Sequence, residues 1–201
     1  MGGLGDRIDT IVTFNEPWCS VYMGHLMGVH APGERSMEAA MAALHVTNLA
    51  HGLGVQAIRA ERANIPVGIV LNAMSVMAAS DSDADRKAAQ RASDFHNGVF
   101  FGPLFAGAYP HSVLAGCPDL AGHVEDGDLE TINQPLDFWG LNYYTPMRVR
   151  DDGSSPFPHV AGAPAVKPRM ALLTTRRWKT ARSATRCGLS IFLPISPWLP
   201  I

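Results

Sequence analysis

The sequence predicts an α/β fold built on a parallel sheet, and three observations carry that prediction. Ile11-Val12-Thr13-Phe14 and Val67-Gly68-Ile69-Val70-Leu71 are short apolar runs rich in β-branched residues, the composition of buried strands. Between them, apolar residues recur at helical spacing from about Ser36 to Ala63. Strand, long helix, strand is the βαβ unit, and its crossover makes the two strands parallel. Both strands, and a third one near residue 140, end in polar groups.

The first strand stops at Asn15-Glu16-Pro17, because proline cannot donate to a ladder. Glu16 is therefore expected at a strand tip, beside the Asn15 amide. A carboxyl held in the mouth of a sheet suits a proton donor aimed at a bound substrate. From the tripeptide alone, a merely solvated strand-end glutamate is the commoner outcome.

Residues 17–35 are punctuated by Gly24, Gly28, Pro32 and Gly33, which predicts an irregular loop. Its histidines, His25 and His30, are read as loop residues without a ligand role. Ser36 can cap the long helix, and Glu38 favours its positive end. Met37, Met41, Leu44, Val55 and Ile58 form the apolar face, while polar positions are sparse until Arg59. His45 and His51 are six apart and share no metal-ligand face, so they read as core-rim histidines. Gly52 and Gly54 each cost about 1 kcal/mol relative to Ala inside a helix, so close packing is expected there.

The second strand is apolar on both faces, as in a parallel sheet covered on both sides, and ends at Asn72. A second helix is expected from Asp81 to Phe100. Asp81, Asp83 and Asp85 load its first turn, Ala88, Ala92, Phe95 and Val99 form its stripe, and Gly102-Pro103 stops it. Short helices are expected from His111 to about Ala115 and from Leu129 to Ile132, around the polar turn Glu125 to Asp128. Asp137 to Tyr144 is the third strand. Parallel strand tips point to one mouth, so Asn15, Glu16, Asn72, Asn142 and Tyr144 should converge. Of Tyr143 and Tyr144 only one can face that mouth, since successive strand side chains alternate.

Beyond Asp152 the chain changes character. Residues 153–201 hold no acidic residue but seven Lys or Arg, and the end is apolar and broken by prolines. We divide the chain into a body, 1–150, and a basic, Pro-rich tail, 151–201, expected to be disordered and unpaired with the body. A net charge of −2 over 201 residues argues against a nucleic-acid or anionic-membrane partner. Cys19, Cys117 and Cys187 form neither a disulfide framework nor a metal spacing, which fits a reducing, cytoplasmic setting. Neither a basic start with an apolar stretch behind it nor a membrane-length apolar segment is present.

Thr13-Phe14-Asn15-Glu16-Pro17-Trp18 resembles the acid/base signature of glycoside hydrolase family 1, the β-glucosidase family. The resemblance runs from about Gly5 to Tyr144, through Gly28-Val29-His30-Ala31-Pro32-Gly33, His51-Gly52-Leu53, Gly68 to Asn72, Gly102-Pro103-Leu104-Phe105, Tyr109-Pro110, Gly127-Asp128-Leu129 and Asp137 to Thr145. It implies an incomplete (β/α)8 barrel containing the central strands and helices. It also implies a retaining β-glycosidase acting on a small-molecule β-glycoside, with no metal or organic cofactor. On that resemblance Glu16 is the general acid/base and Asn15 bonds the sugar 2-hydroxyl. Tyr144 matches the tyrosine that bonds the nucleophile, and Asn142 is its pocket neighbour. The family nucleophile lies in a Thr/Ser-Glu-Asn-Gly string, and no such string occurs here. A non-catalytic carbohydrate-binding or interaction module from the same barrel is the alternative.

Overall fold

The computed structural model describes residues 7–164 and the backbone of 189–194. In chain order the elements are β1 (Ile11–Asn15), α1 (Met37–Glu61), β2 (Val67–Ala73), β3 (Val76–Ala78), α2 (Asp83–Ser93), α3 (Val99–Phe101), α4 (His111–Gly116), α5 (Pro118–His123), α6 (Asp128–Ile132), β4 (Phe138–Tyr143), β5 (Met147–Asp151), β6 (Val160–Gly162) and β7 (Leu189–Pro194). Three π-helical segments, Cys19–Leu26, Asp94–Gly98 and Gly102–Ala106, lie among them.

One sheet has the order β1-β2-β4-β7. Its first three strands are parallel, as the βαβ reading requires, and β7 runs antiparallel to β4. Among the described residues the sheet is open, which is compatible with the expected incomplete barrel. β2 sits centrally and its first five residues are buried, which explains its unbroken apolar run. A second, smaller sheet, β3-β5-β6, packs on α2 through Ala89, Ala92 and Val149.

α1 begins as its sequence indicates: Ser36 accepts a hydrogen bond from the Ala39 amide. Its inner face buries Met41 and Leu44 against Tyr22, Ile69, Leu71 and Leu104 in the main core. Gly52 touches α6 so closely that a β-carbon there would come within 1.9 Å of the Thr131 carbonyl oxygen. Gly54 has no such neighbour, since the nearest atom to a β-carbon there is Thr13 Cγ2 at 3.9 Å. The opposite flank of α1 is open, with Val46 and Leu53 both exposed. Asp137 fastens the base of the βαβ unit, accepting from the Val67 amide at 2.7 Å and from Arg59 at 2.5 Å.

The elements themselves differ from the sequence reading in four places. The segment expected as an irregular loop contains the π-helix Cys19–Leu26. The expected helix 81–100 is α2 continued by a π-turn and α3, and Gly102-Pro103 begins another π-turn instead of ending it. Proline lacks only a donor, so it is accommodated at the start of a turn, where the N–H has no partner anyway. The expected boundary at 150 falls inside β5, and residues 151–164 continue through β6. The backbone of 189–194 also pairs with the body, along the edge of β4. An open parallel edge presents unpaired N–H and C=O groups, and a β-prone segment satisfies them. The rest of the expected tail, 165–188 and 195–201, lies outside the described residues.

His45 and His51 are buried rather than at the rim. His45 bridges Tyr109 (3.0 Å) and Asp128 (2.9 Å), tying α1 to α6, and Asn48 donates to Tyr109. His51 Nδ1 meets the Thr13 hydroxyl at 2.6 Å, while its Nε2 has no partner among the described residues. Among the described residues no helix is long and apolar enough to cross a membrane.

Two predictions follow from this packing. Gly52→Ala overpacks the α1–α6 contact and lowers stability by about 1–3 kcal/mol in urea unfolding. His51 and His96 are each pushed down to about 4 by burial. Lowered histidines are neutral when folded, so they cost nothing above the unfolded value near 6.5 and destabilise as pH falls from there towards 4. At 1.36 kcal/mol per unit, each removes on the order of 3 kcal/mol by pH 4. Thermal unfolding from pH 7 to 4 should show that loss, and His96→Asn should make it shallower.

Candidate active site

The site begins with an irregularity at the end of β1. Val12 is in register with Gly68, but Asn15 is in register with Val70, so β1 carries one extra residue. Such a bulge bends a strand and re-aims the side chains beyond it. Glu16 follows in the left-handed region, at φ 50°, with its amide donating to the Val70 carbonyl at 2.8 Å. Left-handed backbone at a non-glycine residue costs on the order of 1–3 kcal/mol and concentrates at functional positions. Pro17 then turns the chain, and the Cys19 amide closes the turn on the Glu16 carbonyl at 2.9 Å.

The other half of the site is the end of β4. Asn142, 8% exposed, donates from Nδ2 to Glu16 Oε1 at 2.8 Å and to Asn15 Oδ1 at 3.2 Å. The Tyr144 hydroxyl donates to the same Oε1 at 2.7 Å. Cys19 Sγ donates to Oε2 at 3.4 Å. Glu16 thus accepts from three side chains, two of them at the end of β4, more than 120 residues away. The hydrogen bond from Tyr144 to Glu16, then desolvation and the carboxylate charge, push the phenol up to about 12. Burial, then the bond to Glu16 and its charge, push the Cys19 thiol up to about 11.

Of the five residues expected to converge, Asn15, Glu16, Asn142 and Tyr144 form one hydrogen-bonded group. Asn72 lies in register with Asn142 but shares none of the bonds on Glu16. Tyr144, not Tyr143, makes the contact with Glu16, as strand alternation requires of one of the pair. The sequence resemblance assigned Tyr144 to a nucleophile carboxylate; in this chain its hydroxyl rests on Glu16.

Three contributors were not found from sequence. Cys19 lies one turn beyond Glu16, and the Pro17 turn that brings it back could have signalled it. Trp18 and His96 pack ring against ring at 5.0 Å, joining the Glu16 turn to the π-segment Asp94–Gly98. Asn97, in that same segment, donates to the Met74 carbonyl at 2.8 Å and accepts from its amide at 3.0 Å. It holds the chain just past the tip of β2. No periodicity distinguishes a π-segment from an α-helix in sequence, so neither was foreseeable. Among the described residues, no group of three or more His, Cys, Asp or Glu could hold a metal ion.

Glu16 holds the Tyr144 phenol protonated, so Glu16→Gln should bring its titration down from about 12 towards 10. Ultraviolet absorbance of the phenolate between pH 9 and 13 reads this directly, with Tyr144→Phe identifying the transition.

Comparison with known proteins gives one consistent result. The family model described as glycosyl hydrolase family 1 matches residues 1–191. A β-glucosidase of Agrobacterium sp. is 58% identical over 168 residues, covering 83% of this chain and 37% of that enzyme. A 1,4-β-D-glucan glucohydrolase of Thermotoga neapolitana is 37% identical over 153 residues, covering 76% of this chain and 36% of that protein. Among solved structures, the virulence factor SghA of Agrobacterium tumefaciens superposes with a TM-score of 0.76 at 58% identity, covering 81% of this chain and 37% of SghA. SghA with its substrate analogue salicin gives 0.77 at 57% identity, covering 81% and 36%. The chain therefore spans little more than a third of the relatives it matches. The strand-tip carboxyl, its partners and the family match over nearly the whole sequence lead to one conclusion: the chain belongs to glycosyl hydrolase family 1.

Proposed function

We propose that this chain carries the acid/base half of a retaining β-glucosidase site that hydrolyses terminal β-D-glucosyl residues. The observation that supports this is the Glu16 carboxyl, lifted from the β1 tip and held by Asn142 of β4 and by Tyr144 just beyond it. In a retaining mechanism two carboxyls lie roughly 5 Å apart across the scissile bond. One protonates the leaving oxygen, and the other forms a glycosyl-enzyme intermediate. Glu16 takes the first role. As acid it gives its proton to the leaving oxygen; as base it takes one from the incoming water. Asn15 is assigned to the sugar 2-hydroxyl, where a hydrogen bond strengthens as positive charge develops on the ring. Asn142 and Tyr144 are assigned to the wall of the same pocket. The two carboxyls do the chemistry, so the reaction calls on no metal or organic cofactor. Cys19 and Cys117 are free thiols, which supports a cytoplasmic setting.

No Thr/Ser-Glu-Asn-Gly string, which would hold the partner carboxyl, occurs in residues 1–201, and we read the site as lacking that carboxyl. Among the described residues the side chains bonded to Glu16 are an amide, a phenol and a thiol, and none of them can attack the anomeric carbon as a carboxylate would. Loss of one catalytic carboxyl removes several powers of ten in rate, at 1.36 kcal/mol per tenfold. The chain by itself is accordingly read as an acid/base module without turnover. A carbohydrate-binding role derived from the same barrel is the second reading, favoured by that same missing carboxyl.

A fluorogenic aryl β-glucoside and a calorimetric titration with salicin test both. The isolated chain should show no turnover beyond that of Glu16→Gln. Turnover abolished by Glu16→Gln would overturn the reading of an incomplete site. Mixed with the non-overlapping parts of the Agrobacterium relative, the chain should restore hydrolysis, and Glu16→Gln should lower the restored rate by about 10²–10⁴-fold. Restored activity indifferent to Glu16 would remove the acid/base assignment. Salicin binding without turnover in the isolated chain would support the module.

A further inference from the structure

The two oxygens of Glu16 are not equivalent. Oε1 accepts from the Asn142 amide at 2.8 Å and the Tyr144 hydroxyl at 2.7 Å. An amide N–H has no lone pair to offer, so a proton on Oε1 would confront a donor. The proton that Glu16 gives and takes therefore belongs on Oε2. The group bonded to Oε2 is the Cys19 thiol, at 3.4 Å.

We propose that Cys19 is a positioning residue for Glu16, its thiol aiming the oxygen that carries the transferable proton. A thiol suits this place because S–H donates to the carboxylate, and its hydrogen can rotate away once Oε2 is protonated, leaving the acid proton free to face the leaving oxygen. The sulfur therefore stays beside Oε2 in both protonation states, whereas an amide donor would oppose the protonated one. During transfer the Oε2–H bond breaks, its proton goes to the leaving oxygen, and the electron pair stays on Oε2. The thiol hydrogen then turns onto Oε2, and Cys19 ends as it began. Its placement is fixed by the backbone: the Cys19 amide bonds the Glu16 carbonyl at 2.9 Å, where the π-helix Cys19–Leu26 begins. The ionisable groups that face one another here are Glu16, Cys19 and Tyr144, with Asn15 and Asn142 as neutral amides. A thiol pushed up to about 11 is still protonated at neutral pH, as a donor must be.

This role rests on Glu16 being the acid/base group, but its test reads the contact and not turnover. The first measurement is alkylation of the whole chain by iodoacetamide at pH 8.5, followed by mass spectrometry, with buried Cys117 as internal reference. Burial is the larger cause of the raised thiol and Glu16 adds to it, so Glu16→Gln should raise the Cys19 alkylation rate, by about tenfold for each pKa unit regained. Equal rates in the two chains would overturn the proposal. The second measurement is the side-chain carboxyl ¹³C resonance of Glu16 at pH 7. Cys19→Ala should move it, and Cys19→Ser, which keeps a donor and an acceptor, should leave it in place. An alanine variant indistinguishable from the unsubstituted chain would overturn the proposal, as would a serine variant that behaves like alanine. Should Cys19→Ala fail to fold, the serine comparison and the alkylation rates still decide. Absence of turnover in the mixed-chain assay would count against the acid/base assignment and leave both of these readouts untouched.

Discussion

The amide of Asn142 meets the carboxyl of Glu16 across 126 residues of sequence, and the site depends on that meeting. The contact spans a strand. β2 lies between β1 and β4, so the two outer strands run on the order of 10 Å apart. Neither side chain bridges that distance while standing upright on its own strand. The bulge between Val12 and Asn15 and the left-handed backbone at Glu16 supply the lean that closes the gap. Local backbone strain at β1 is thus offset by hydrogen bonds that only the folded sheet can offer.

The far end of the same strands is fastened by a different device. Asp137 accepts from the Val67 amide and from Arg59, so the start of β4, the start of β2 and the end of α1 are bound together. Between the two ends, β2 and the inner face of α1 share one apolar core with Tyr22, Val99, Phe100 and Leu104. The core sets the distance between strand tips, and the tips set the geometry at Glu16. Helix packing against Gly52 belongs to the same chain of causes, because α1 reaches its seat only where no β-carbon intervenes.

Much of this was legible in the residues. The apolar run of β2, the Ser36 cap and the acidic first turn of α2 each stated their structure locally. The convergence of Asn15, Glu16, Asn142 and Tyr144 was legible because parallel strands place their tips together. What escaped has physical reasons. A π-turn repeats too closely to an α-helix for spacing to separate them, which concealed Cys19–Leu26 and Asp94–Gly98. β3 and β6 are three residues each, too short to show alternation. The hydroxyl of Tyr144 rests on Glu16, and no sequence pattern announces which of two acceptors a phenol will choose.

β7 has a consequence for growth of the sheet. It runs antiparallel along the whole of β4, residue for residue from Phe138–Pro194 to Tyr143–Leu189. In a barrel that ladder belongs to a parallel neighbour, so the two are rivals for the same row of peptide groups. Extension on this side is therefore a displacement reaction: six registered pairs must be surrendered before an incoming strand can gain its own. The resident strand works as a placeholder, and enlarging the sheet there is governed by how fast it peels away.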